Sequence, residues 1–139
     1  MSPWVLDTDT LTLLERAHPL VSARVLAQPT GAVATAIISV EEQFSGWNAY
    51  IRRARRPDQL AYGYLRFTEV VTHLTRVPIL TYTLGAIHRF DQLKSLRLNI
   101  GGNDLRIAAI ALEHGATLVT RNRADFARVP GVTIADWSV

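Results

Sequence analysis

The sequence predicts an α/β fold: a parallel sheet covered by helices on both faces. Three observations carry that expectation. Short apolar runs recur without polar alternation, segments of helical period separate them, and 48% of the 139 residues are hydrophobic, enough to bury strands on two sides. The length suits one compact domain over residues 1–139.

Residues 3–7 read as a first strand, apolar through Trp4, Val5 and Leu6 and ending on Asp7. Leu11, Leu13 and Leu14 share a helical face over Thr10 to Ala17, and Pro19 suits the first turn of a second short helix. After Gly31, the small-residue run "AVATAII" reads as a second buried strand. Ser39 opens a helix running towards Arg56, and Pro57 ends it or starts the next. "DQLAYGYLRFTEVVTHLTRV" places apolar residues at 60, 64, 67, 71 and 74, a helical period, and "PILTY" follows as a short strand. Thr83 to Arg97 is a further helix, with Leu84, Ile87, Phe90 and Leu93 three apart. "NIGGND" breaks the chain before a helix from Asp104 to His114, which Gly115 stops and whose terminus His114 serves. "TLVT" is a strand, "RNRADF" a loop and "VTI" a final short strand.

Composition narrows the function. The absence of cysteine excludes a disulfide framework, a zinc finger and a cysteine nucleophile. No basic region leads into a long apolar stretch, and no apolar run reaches the roughly 18 residues of a membrane span, so a soluble, cytoplasmic protein is expected. Fifteen basic residues outnumber twelve acids, and Lys94 is the only lysine. Arginine binds phosphate in bidentate fashion and stacks on bases, so this bias is compatible with nucleic-acid contact.

In folds of this class, ligands sit beyond the carboxyl ends of the strands. That edge receives Asp7 and the end of "TLVT", just before Asn122 and Asp125. Four segments can bring acids there: Asp7 or Asp9, Glu41 or Glu42, Asp104, and Asp125. Each also has a local reading. Asp7 or Asp9 suits a helix N-cap, and Ser39 stands at capping-box spacing from Glu42. Asp104 suits the start of a helix, and Asp125 suits a loop acid paired with Arg121 or Arg123. Taken together, clustered carboxylates need a cation to offset their repulsion. Magnesium or manganese favours such oxygen donors and supports phosphodiester hydrolysis by activating a water.

The stretches "WVLDTDTLTLL", "ISVEEQFSG" and "NDLRIAAIALEHGATLVTRNRADFARVPGVTIADW" resemble the PIN-domain ribonucleases of the VapC type, the toxin half of bacterial toxin–antitoxin pairs. The last stretch is the most specific, whereas residues 47–98 match only as a helical region. The resemblance implies a three-layer, Rossmann-like α/β/α domain and a divalent metal, Mg2+ or Mn2+. It also implies metal-dependent RNA cleavage leaving a 5′-phosphate and a 3′-hydroxyl. It selects Asp7, Glu42 and Asp104 as catalytic and metal-binding acids, with Ser39 as the accompanying hydroxyl and Gly46 as a glycine that lets the helix approach a neighbour. Its fourth position falls on Asn122 or Asp125, of which Asp125 supplies an acid. Thr8, Ser39 and Asn122 would orient those groups or the scissile phosphate, and Arg121 and Arg123 would contact RNA. Gln43 departs from the apolar residue usual after the glutamate. A small VapB-like antitoxin and a homodimer are the expected assemblies. A partner helix would lie near Trp47, Tyr50 and the 60–74 helix.

"IRRARR" adds a cluster of Arg52, Arg53, Arg55 and Arg56, suited to substrate or to a solvated helix end. Tyr50, Tyr62 and Tyr64 are placed either to pack a helix pair or to stack on bases. Two rivals remain. A binding module could keep the fold without turnover, and a haloacid-dehalogenase-like phosphatase would use Asp7 as nucleophile and Asp9 as acid.

Overall fold

The computed structural model describes residues 3–139. Among these, five short strands form one sheet in the order β3-β2-β1-β4-β5, every neighbouring pair parallel. The strands are β1 (Trp4–Leu6), β2 (Val33–Ala36), β3 (Ile79–Leu80), β4 (Thr117–Val119) and β5 (Thr133–Ala135). The helices are α1 (Thr8–Glu15), α2 (Pro19–Leu26), α3 (Ile37–Arg53), α4 (Pro57–Leu74), α5 (Leu84–Ser95), α6 (Gly102–Glu113) and α7 (Arg123–Phe126).

Alternate strand residues feed two cores. Val5 and Leu118 pack with Ala86, Phe90, Ile107 and Ile110 on the α5–α6 side. Leu6 and Val119 pack with Leu11, Val21, Val40, Val70 and Leu74 beneath α1 to α4. This two-sided burial makes the three-layer α/β/α arrangement and explains why β2 is built from "VATA", every residue of which is buried. Each fully buried Leu or Ile side chain contributes about 1.5–3 kcal/mol to that packing.

Several boundaries differ from the sequence reading, each for a local reason. Helix α1 begins at Thr8, not Thr10, because Asp7 is its N-cap and accepts a hydrogen bond from Thr10 N at 2.8 Å. Strand β2 stops at Ala36, and α3 starts at Ile37 with no side-chain cap. Ser39 therefore lies inside the first turn, and the capping box with Glu42 does not form. The "RNRADF" segment is not all loop: Asn122 caps the short helix α7 by accepting from Asp125 N at 3.3 Å. Helix α3 ends at Arg53, so the arginine cluster is split across the turn into α4, where Arg56 pairs with Asp58 at 3.0 Å. His114 does serve the end of α6, its Nδ1 lying 2.9 Å from Ile110 O, and Gly115 follows in the left-handed region at φ +61°.

On α4 the buried positions are Gly63, Val70 and Leu74. Of the expected apolar stripe, Leu60, Tyr64 and Val71 face outward. Gly46 is not the point of close helix approach either, because a Cβ built there meets nothing within 4 Å. Gly63 takes that part, since a Cβ there would stand 2.8 Å from the Tyr50 ring and 2.9 Å from Ile51 Cγ1.

Candidate functional site

The chain runs outward from β1 to β3 on one side and from β4 to β5 on the other, so the strand order switches between β1 and β4. A crevice opens at such a point, beyond the carboxyl ends of the strands. Here it is a pocket of about 490 Å³ lined by Asp7, Thr8, Asp9, Glu42, Asp104, Arg121 and Asn122. Asp7 arrives from the end of β1, Glu42 from the second turn of α3, Asp104 from the first turn of α6, and Asn122 from the segment after β4.

Asp7 is only 5% exposed. Burial raises its carboxyl pKa, and hydrogen bonds from the Thr120 hydroxyl and Thr10 N act against that rise. Thr120 also accepts from Asn122 N at 2.9 Å, so one hydroxyl joins the two strand ends. Thr8 Oγ1 lies 2.6 Å from Glu42 Oε1 and 2.9 Å from Ser39 Oγ. A hydroxyl has one proton, and a carboxylate only accepts. Thr8 therefore donates to Glu42, and the buried Ser39 hydroxyl donates to Thr8.

Asp104 is half-buried, and its pKa is raised first by burial and then by the charges of Glu42, Asp7 and Asp125. Those three causes place the acids within electrostatic reach of one another. Asp125 does not line the pocket. It is held behind it by Asn122 Nδ2 at 2.9 Å and by Arg128, whose Nη1 donates to Leu98 O at 2.8 Å. The Asn122 bond and the Arg128 charge keep the Asp125 carboxyl below the usual range.

Arg121 stands at the rim and grips Asp9 in bidentate fashion, at 2.6 and 2.9 Å. The exposed Arg123 lies outside the pocket lining. Sequence reading missed Thr120, Thr10 and the Asp9–Arg121 pair. The β1–β4 register, Leu6 opposite Val119, is the signal that sets Thr120 beside Asp7, and it exists only once the strand order is known.

Asp7, Asp9, Glu42 and Asp104 present carboxylate oxygens to the pocket, as a hard dication prefers, and burial together with the neighbouring acids raises Asp104, an effect such an ion would oppose. The sequence reading makes Asp7 and Asp104 the principal ligands, with Glu42 and Asp125 completing the site directly or through water. Among the described residues, no three acidic or histidine side chains stand close enough together to grip one ion. Thr8 holds Glu42, Thr10 N and Thr120 hold Asp7, and Asn122 and Arg128 hold Asp125. The donor chemistry fits the ion.

Comparison with known proteins adds three findings. The PIN domain family model matches residues 4–132. Ribonuclease VapC2 of Rickettsia felis is 24% identical, covering 96% of this chain and 97% of its own, and Ribonuclease VapC2 of Haemophilus influenzae is 26% identical, covering 99% of each. The structure of DNA-bound VapBC from Salmonella typhimurium superposes with a TM-score of 0.78 at 23% identity, over 99% of each chain. No helix among the described residues is long and apolar enough to cross a membrane.

Proposed function

The chain belongs to the PIN-domain family, and we propose that it is an endoribonuclease that hydrolyses RNA with magnesium or manganese as the toxin of a toxin–antitoxin pair. The observation that carries this reading is the meeting of Asp7, Glu42 and Asp104 in one pocket at the strand switch point. Relatives called Ribonuclease VapC2 support the reaction class, and the likeness to a VapBC complex supports a VapB-like antitoxin as partner. A homodimer belongs to the same proposal.

Asp7 and Asp104 would hold the ion, with Glu42 completing the set and Asp125 acting through Asn122. When bound, the ion lowers the pKa of a water and offsets charge on the leaving oxygen. The chain's own residues set the geometry. The Ser39–Thr8 relay aims Glu42, Thr120 and Thr10 N orient Asp7, and Asp125 fixes the amide of Asn122. Arg121 offers a planar guanidinium at the rim, where a phosphate can exchange with Asp9. The PIN-domain match and the relatives called Ribonuclease VapC2 disfavour the phosphatase rival, whose acid would be Asp9.

The test is incubation with total RNA and Mg2+, followed by mapping of new 5′ ends. Wild-type protein should cut and EDTA should stop it. Asp7→Asn should abolish cutting while melting at the same temperature or higher, because the amide keeps the cap on Thr10 N and removes a buried charge. Cleavage at the wild-type rate by that variant would refute the assignment. RNA binding without metal-dependent cutting would favour a binding module.

A further inference from the structure

Beside the acid pocket, a second hollow of about 370 Å³ shares Thr8 and Glu42 with it. Its other walls include Gly46, Trp47 and Tyr50 of α3, together with Arg16, Arg53 and Arg66. We propose that this hollow is a nucleotide subsite, in which one base of the bound RNA stacks on Trp47 and Tyr50 while the arginines hold its backbone phosphate. The proposal rests on the ribonuclease reading and names the part of the substrate that sits next to the reacting phosphate.

Four features point that way. First, the hollow adjoins the acids, so a strand with its phosphate at Asp7 and Glu42 has a neighbouring nucleotide within reach of it. Second, its aromatic wall is rigid. The Trp47 ring meets Tyr50 at 5.5 Å and Tyr62 at 6.1 Å, both edge to face, and Arg66 lies 5.6 Å from its centroid. A ring held in place stacks on a base at low entropic cost.

Third, Arg16, Arg53 and Arg66 outnumber the two acids, Glu15 and Glu42, that line the same space, which favours a polyanion there over the acid pocket alone. Fourth, Gly46 lies inside α3, where glycine weakens a helix, yet a Cβ there would meet nothing. Its smallness keeps the hollow open and serves no helix contact.

Fluorescence anisotropy without added metal tests this directly, using two single strands of eight units: oligoadenylate and an abasic ribose–phosphate strand of equal charge. Wild-type protein should bind the base-bearing strand at least about tenfold more tightly. Trp47→Ala should bring the two affinities together. So should Gly46→Leu, which intrudes on the hollow, and its melting temperature should equal or exceed wild type, which guards against a misfolding explanation. Arg53→Ala should weaken both strands alike and reduce the salt dependence. Equal wild-type affinity for the two strands, or a preference kept in both Trp47→Ala and Gly46→Leu, would overturn the proposal. Cleavage is read separately: a protein that prefers bases but never cuts RNA refutes the nuclease reading alone, and one that cuts without base preference refutes the subsite alone.

Discussion

Asp7 serves twice: one oxygen caps α1 through Thr10 N, and the carboxylate also lines the pocket. The choice between cap and site that its position offered was never exclusive, and a residue at a strand end can serve both. Gln43 is a second case. In place of an apolar neighbour to Glu42, its Nε2 donates to Glu15 Oε1 at 2.6 Å beneath α1. Burial raises the Glu15 pKa to about 7, against the Gln43 bond and the charges of Arg66 and Arg16. His73 lies 3.9 Å from Glu15, but burial and Arg76 lower its own pKa, so the contact is not an ion pair near neutrality.

The sign of the consequence is set by a folded pKa above the unfolded value of 4.5. The stability linked to Glu15 is fully present below pH 4.5 and is lost as pH rises through 7. Glu15→Gln should therefore gain about 1–2 kcal/mol at pH 8, after discounting for solvent screening, and the gain should vanish near pH 4.5. Melting followed by circular dichroism at several pH values checks it.

At the scale of elements, the close approach in the α3–α4 pair expected at Gly46 is made at Gly63. A helix period shows that a residue lies on a face, but not which face meets the neighbour. Gly46 therefore looked like the point of contact, whereas Gly63 is buried against Tyr50 and Ile51. Gly63→Ala should cost about 1–3 kcal/mol through overpacking despite its gain in helix propensity. Gly46→Ala should add roughly 0.5–1 kcal/mol. Chemical denaturation of the two variants separates them by sign. The same limit hid the outward stripe of α4, while α6 was legible because buried Leu105, Ile107, Ala108 and Ala111 leave little choice of face. The short helix α7 escaped notice because four residues carry no period.

Across the whole molecule, five strands and the parallel sheet were legible, because two-sided burial leaves continuous apolar runs. The strand order was not, and with it went the contacts that bridge distant segments: Arg121 with Asp9 and Thr120 with Asp7. Asp7 was legible at the edge because strand ends of a parallel sheet share one edge whatever their order; Glu42 and Asp104 line the same pocket from helices, and Asp125 stands outside its lining. The most direct measurement of whether one dication unites them is calorimetric titration with Mn2+. Wild-type protein should show saturable binding that weakens at least about tenfold in both Asp7→Asn and Asp104→Asn, whose residues line one pocket from β1 and α6. Wild-type affinity in either variant would mean that the acids do not act on a common ion.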